Sequence, residues 1–105
     1  MKTLVSAPHH AYPANVRDSV EARLQSLTKY FERIESLRAL LDREGDLHRV
    51  ELVTHVGHGA TLVVEATAMT LDQALEDAIQ RMKGVLTRHK QRLVQRNRRG
   101  KRAGS

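Results

Sequence analysis

The spacing of the apolar residues changes along this chain and divides it into helical and extended segments. Between Ala14 and Phe31 an apolar residue recurs every three or four positions, a period that places these residues on one face of a helix. Pro13, just ahead of this segment, is compatible with a helix start. The residues of this apolar face are Val16, Val20, Leu24, Leu27 and Phe31.

The middle of the chain has the alternation of apolar and polar residues that is typical of half-buried strands. It occurs three times, over residues 37–42, 49–56 and 61–66, and the turns Glu44-Gly45-Asp46 and Gly57-His58-Gly59 separate the three runs. This arrangement predicts an antiparallel meander with one buried face. Residues 2–7, a short run that is stopped by Pro8, predict an additional first or edge strand.

A second helical pattern begins after Thr70, which is suited to cap a helix, and Asp72 lies in the first turn, where negative charge is favourable. We expect this helix to run to about Arg96 and residues 97–105 to form a disordered basic tail. Its apolar face consists of Leu71, Leu75, Ala78, Met82, Leu86, His89 and Leu93.

These elements predict an α+β fold with the order β-α-β-β-β-α, in which one four-stranded sheet carries two helices packed on one face. A chain of 105 residues is long enough for one such core, and we assign residues 1–96 to it. Cysteine is absent, which excludes disulfides, thiolate nucleophiles and sulfur-ligated metals. The sequence contains neither a signal-peptide pattern nor an apolar run of membrane-span length, so we expect a cytoplasmic protein.

Charge is distributed unevenly along the chain. Residues 78–105 contain ten Lys and Arg and no Asp or Glu, whereas residues 1–77 contain eight Lys and Arg and twelve Asp and Glu. A solvated helix face usually mixes both signs, so this segregation favours a polyanionic partner. An anionic membrane surface would also attract such a segment, and the sign of the charge does not distinguish the two.

The cations of the last helix form two lines. Arg81, Arg88 and Arg92 lie within about 40° of one another at 100° per residue, and Lys83 and Lys90 form a second line on the other flank of the apolar face. Single-strand binders stack bases on aromatic side chains, and the strand segments contain none. The pattern therefore favours binding to the phosphate backbone of a folded RNA.

The six histidines do not have the spacing of a metal site, because no pair is separated by four residues on a helix and no carboxylate completes a set. No nucleophile elbow or paired-acid spacing is present either. We therefore expect no metal, no cofactor, no small-molecule substrate and no enzymatic activity. The histidines are His9, His10, His48, His55, His58 and His89.

Three motifs carry a resemblance to a known family: Tyr30-Phe31-Glu32-Arg33-Ile34, Thr54-His55-Val56 ahead of a glycine-rich turn, and the segment from Leu86 to Leu93. Together they resemble the short ribosome hibernation-promoting factors, also called ribosome-associated inhibitors or ribosomal subunit interface proteins. The resemblance extends over roughly residues 2–94. The element order predicted above is also the fold of that family.

The resemblance implies a function. Members of that family bind ribosomal RNA of the small ribosomal subunit near the decoding centre, exclude mRNA and tRNA, and hold the ribosome idle without catalysis. It implies a monomer off the ribosome, and it implies RNA contacts at basic family positions on both helices. The positions that match are Arg23, Arg33, Arg81, Arg88 and Lys90, with Lys83 as a supporting position, and the arginine line adds Arg92.

The chain also departs from the family. Thr70-Leu71-Asp72 stands where many members have Asp-Met-Tyr, and Gly84 occupies a position that is often basic. Two alternatives therefore stay open. One is a divergent protein of the same fold that binds another folded RNA by its backbone. The other is a protein–protein adaptor with a solubilising tail, although the predicted outer sheet face is polar and mixed in sign.

Overall fold

A computed structural model describes residues 2–6, 12–31 and 33–103 of the chain, with the backbone alone at 2–6, 30, 58 and 93–103. The elements in order are β1 (Lys2–Ser6), α1 (Ala14–Tyr30), β2 (Ile34–Glu44), β3 (Leu47–Val56), β4 (Ala60–Ala68) and α2 (Leu71–Ala103). A short 3-10 turn, Gly57–Gly59, joins β3 to β4. Residues 7–11, which include His9 and His10, lie outside the described residues.

The strands form one sheet in the order β1-β2-β3-β4. β2, β3 and β4 are an antiparallel meander, and β1 pairs in parallel with β2 at the edge. Gly45, with φ 61°, begins the two-residue turn between the paired residues Glu44 and Leu47, a left-handed conformation that glycine adopts without steric cost. The predicted α+β class, the two helices and the antiparallel three-strand meander are confirmed.

The two helices begin at the same end of the sheet. The hydroxyl of Tyr12, two residues before α1, lies 2.6 Å from Nδ1 of His48 near the β2–β3 turn. His48 pairs with Ala68, the last residue of β4, which lies three residues before Leu71 at the start of α2. We call this end the hairpin pole and the opposite end, with the Gly57–Gly59 turn, the distal pole.

The core lies between the helices and the sheet face that they cover. Alternate strand residues contribute to it because successive side chains point to opposite faces. Thr54 is also fully buried on this face, where its hydroxyl has no hydrogen-bond partner. The fully buried large apolar side chains are Leu24, Leu27, Leu37, Leu41, Val50, Leu52, Val56, Leu75, Met82 and Leu86.

The sequence-based boundary of the last helix was wrong. α2 continues to Ala103, so residues 97–103, predicted as a disordered tail, are helical, and 104–105 lie outside the described residues. Arg, Lys and Ala all have high helix propensity, and Asn97 and Gly100 cost only about 0.7 and about 1 kcal/mol relative to Ala. At 1.5 Å per residue the 33-residue helix is about 50 Å long, whereas the ten-residue β3 spans about 33 Å. α2 therefore overhangs the sheet, in a molecule 57 Å long and 23 Å by 19 Å across.

Candidate nucleic-acid interface

The start of α2 is fixed by the predicted cap. The side-chain oxygen of Thr70 accepts the backbone N–H of Gln73 at 3.1 Å, and its carbonyl accepts that of Ala74. Asp72 lies in the first turn, where the unpaired N–H groups of a helix favour negative charge. From this fixed start the helical period sets the direction of every later cation on α2.

The arginine line faces β4. Nη1 of Arg81 donates a hydrogen bond to the backbone carbonyl of Glu65 on that strand. β4 is an edge strand of the sheet, so this contact satisfies one of the carbonyls that an edge leaves unpaired. Arg88 and Arg92 follow on the same side of α2 and are exposed.

The lysine line faces α1. Arg23 of α1 contacts Asp72 and Glu76, and at 100° per residue those two carboxylates lie within about 40° of Lys83 and Lys90 on α2. Lys83 is half-buried and Lys90 is exposed. The apolar line of α2, which ends among the described side chains at the buried Leu86, runs between the two lines of cations.

Arg33 lies at the distal pole. It is exposed in the turn between α1 and β2, and its carbonyl oxygen accepts the backbone N–H of Gly57 at 3.0 Å. Lys29, in the last turn of α1, is also exposed near this pole, and sequence reasoning missed it as a site residue. The signal that could have identified Lys29 is its position four residues before Arg33, at the basic end of a helix.

Arg23 does not join these cations. Its guanidinium makes two ion pairs across the helices, Nη1 to Oδ1 of Asp72 at 3.0 Å and Nη2 to Oε2 of Glu76 at 2.9 Å. The fork of an arginine side chain suits such paired contacts with carboxylates. The structure thus gives Arg23 an intramolecular role near the hairpin pole, about 10 Å along the axis of α2 from Lys83.

Acidic residues concentrate at the hairpin pole and basic residues at the distal pole. The first two turns of α2 contain Asp72, Glu76 and Asp77, and no acidic residue follows them in the chain. The β2–β3 turn adds Glu44 and Asp46 at the same pole. The segregation of charge along α2 is therefore also a segregation in space, although the hairpin pole also holds Arg17 and Arg43.

The outer sheet face carries an ion-pair cluster around Arg49, which contacts Glu65 and lies 3.8 Å from Glu44 and 4.0 Å from Glu51. The hydrogen bond to Glu65 is the main reason that the pKa of Arg49 is raised above its usual value. This face is less polar than predicted, because Val63 on it is 53% exposed.

The histidines are dispersed in the structure. Nδ1 of His55 lies 3.0 Å from the hydroxyl of Thr61 on the outer face, and His48 contacts Tyr12 at the hairpin pole. His89 is half-buried on α2, and its Nε2 is buried without a hydrogen-bond partner. Among the described residues, no three His, Asp or Glu side chains are grouped in a way that could hold a metal ion.

No helix in the described part of the chain is both long and apolar enough to span a bilayer.

Comparisons with known proteins agree on the fold and point to one family. The family model described as sigma 54 modulation protein / S30EA ribosomal protein matches residues 5–94. The ribosomal subunit interface protein from Coxiella burnetii superposes with a TM-score of 0.74 at 11% identity, covering 86% of this chain and 98% of that one. The N-terminal domain of Thermus thermophilus Protein Y superposes with a TM-score of 0.69 at 23% identity, covering 83% and 94%. A search of curated protein sequences finds no match.

Proposed function

Because the chain belongs to the sigma 54 modulation protein / S30EA ribosomal protein family, which includes the ribosome hibernation-promoting factors, we propose that it silences ribosomes by occupying the small subunit. The resemblance identified from the three sequence motifs is thereby confirmed, and members of this family bind the ribosome. Our proposal is more specific. The protein binds small-subunit ribosomal RNA near the decoding centre, and it blocks the entry of mRNA and tRNA.

The observation that carries this proposal is the arrangement of cations on α2. No Asp or Glu follows Asp77 in the sequence, and the later part of α2 carries Arg81, Arg88 and Arg92 on one flank and Lys83 and Lys90 on the other. Arg33 adds another exposed cation at the distal pole, in the turn between α1 and β2. Clustered cations of this kind bind phosphates and release counterions, which supplies affinity without sequence readout.

The proposed mechanism is occupancy. The cations of α2 hold the protein against the RNA backbone, and the packed body behind them fills space that the ligands of an active ribosome need. No bond is made or broken, so the protein needs neither a general base nor a nucleophile. A rigid two-layer body is suited to this task because a close-packed core resists deformation when another ligand competes for the same space.

Co-sedimentation with purified small subunits across a salt series, with and without initiator tRNA, tests the proposal. We expect saturable one-to-one binding that tRNA competes away. The variant Arg88→Glu with Lys90→Glu should weaken binding by about 100-fold, because each lost charge-assisted hydrogen bond contributes about 1.5 kcal/mol. The matched control is Arg17→Glu with Arg43→Glu, which makes the same change in net charge on exposed side chains near the hairpin pole.

The possible results of the co-sedimentation experiment distinguish the three functional hypotheses. Binding to small subunits that tRNA does not displace would contradict occupancy of the decoding region and favour another folded RNA as target. Equal loss of binding in the test variant and the control would mean that only net charge matters. Full binding by the Arg88→Glu and Lys90→Glu variant would indicate an adaptor that contacts a ribosomal protein through another surface.

A further inference from the structure

The last part of α2 lies beyond everything that the family match explains. The match ends at residue 94, and the helix continues to Ala103. We call residues 95–103 the basic arm. Leu86 is the last buried residue among the described side chains, and Ala103 lies about 25 Å farther along the axis of α2. The basic arm therefore projects from the distal pole as a continuation of a helix that the core has already nucleated, which spares it the cost of starting a helix alone.

The composition of the basic arm narrows the class of partner. It contains no acidic and no aromatic residue, and its only apolar residue is the terminal Ala103. An interfacial membrane helix needs a broad apolar face, and a single-strand binder needs aromatic platforms for bases. The basic arm has neither, whereas arginines, which dominate its cations, bind phosphates in a bidentate manner. Its cations are Arg96, Arg98, Arg99, Lys101 and Arg102.

The spacing of these cations distinguishes the basic arm from the rest of α2. At about 100° per residue their positions cover an arc of about 220° around the helix, whereas Arg81, Arg88 and Arg92 share one side. A helix with cations over more than half of its circumference matches phosphates on more than one side at once. The two strands that border a groove of an RNA duplex present phosphates in that way.

We propose that the basic arm is a second RNA contact, separable from the body, which binds between the phosphate backbones of a duplex RNA segment. On the ribosome this inference rests on the proposed function, because the body would deliver the basic arm to a nearby ribosomal RNA helix. The duplex contact itself requires no ribosome. It adds affinity and steepens the salt dependence beyond what the body alone provides.

Fluorescence anisotropy with a 20-base-pair RNA duplex, at several salt concentrations, tests the basic arm in the full chain. The variant Arg98→Gln, Arg99→Gln, Arg102→Gln keeps good helix formers, and it should reduce the log–log salt slope by about 2 to 3, at roughly 0.9 per phosphate contact. The control variant Arg17→Gln, Arg38→Gln, Arg43→Gln removes three exposed cations elsewhere and should leave the slope unchanged. Equal slopes in the two variants would overturn the proposal.

Two further measurements test the duplex and the helix. The arginine-to-glutamine variant of the basic arm should keep most of its affinity for an unstructured single-stranded RNA of equal length. It should also keep most of its affinity for vesicles with anionic headgroups. An equal or larger loss there would assign the basic arm to single strands or membranes instead. Gln95→Pro should weaken duplex binding by about tenfold relative to Gln95→Ala, because proline interrupts the helix. Unchanged binding would show that the basic arm acts as an unstructured polycation.

Failure of this proposal is distinguishable from failure of the proposed function. The duplex measurement contains no ribosome, and the tRNA competition with small subunits can be run on the variant with the altered basic arm. Loss of duplex binding with intact tRNA competition would identify the basic arm alone as the duplex site, as we propose. Unchanged duplex binding with intact tRNA competition would contradict the proposal for the basic arm and leave the silencing function standing.

Discussion

At the scale of single residues, tertiary contacts give similar arginines different roles. Arg23 joins the two helices through Asp72 and Glu76, and Arg81 donates to an edge-strand carbonyl. Arg49 anchors an ion-pair cluster on the outer face of the sheet, and Arg88 is exposed on α2. Sequence spacing alone treats these side chains as equivalent cations.

Replacing Arg23 by Gln should affect stability more than binding. The side chain is 34% exposed and its carboxylate partners more so, so the two ion pairs should contribute about 0.5 to 1 kcal/mol to the free energy of unfolding. Urea unfolding of Arg23→Gln, Asp72→Asn and the double variant measures the coupling between the two side chains. Small-subunit affinity should change less than twofold, and a loss comparable to that of the Arg88→Glu and Lys90→Glu variant would place Arg23 in the RNA site instead.

Tyr12 makes the free energy of unfolding depend on pH in the alkaline range. Burial is the main reason that its pKa is raised above the ordinary value of 10.0, so the folded state favours the neutral phenol. Its contribution to stability is complete below pH 10.0 and is lost as the pH rises through the higher pKa of the folded state.

Tyr12→Phe tests this dependence by urea unfolding between pH 8 and about pH 11, the range in which a tyrosine titrates. At the lower pH the variant should lose about 1 kcal/mol, because its ring no longer reaches Nδ1 of His48. As the pH rises, the difference from the wild type should shrink. Parallel pH profiles for the two proteins would contradict the assignment, and Tyr30, which remains in the variant, serves as an internal spectroscopic control.

At the scale of elements, α2 combines stability and function in one helix. Its acidic residues Asp72, Glu76 and Asp77 occupy the first two turns, and its cations occupy the rest. The helix macrodipole favours both placements, so the charges that suit a polyanion also suit the helix. The Thr70 cap fixes where the helix starts, and thereby fixes which flank each cation occupies.

Two glycines should respond in opposite directions to substitution by alanine. Gly84 lies on the exposed side of α2 with open space around it, so Gly84→Ala should stabilise the fold by about 0.5 to 1 kcal/mol. Gly45 has φ 61°, so Gly45→Ala should cost about 1 to 2 kcal/mol. Gly57→Ala, where neither effect applies, is the control in thermal and urea unfolding. Destabilisation by Gly84→Ala would show that this glycine is needed for packing or bending.

At the scale of the whole molecule, the fold places the acidic start of α2 at one pole and its basic continuation toward the other. The long, narrow molecule, 57 Å by 23 Å by 19 Å, places these charges far apart. Such a charge distribution orients the protein in the field of a polyanion before contact, so the distal pole should approach RNA first. Folding and binding thus rely on largely different parts of one continuous helix.

Deleting residues 95–105 should therefore leave the fold intact. The last described buried side chain is Leu86, so the free energy of unfolding should change by less than about 0.5 kcal/mol. Circular dichroism at 222 nm should show only the loss of the helical residues that were removed. A cooperative loss of stability would mean that the end of α2 packs on the body.

Several features were predictable because they depend on neighbours in the sequence. The helical period of Val20, Leu24 and Leu27, the left-handed turn at Gly45 and the Thr70 cap are set by interactions within a few residues. The prediction that α2 ends at about Arg96 was wrong, because neither a proline nor a strong cap stops the helix at that position. The weak stop signal of one glycine does not outweigh a run of good helix formers.

The sequence by itself determined the element order, the buried faces of the two helices and of the three-strand meander, the segregation of charge and the family. Only the tertiary structure decided which cations have intramolecular partners. Arg23 meets Asp72 from 49 positions away, and Arg81 meets Glu65 from 16 positions away. The physical reason is range: periodicity, turns and caps follow from local geometry, whereas ion pairs depend on how packed elements meet in space.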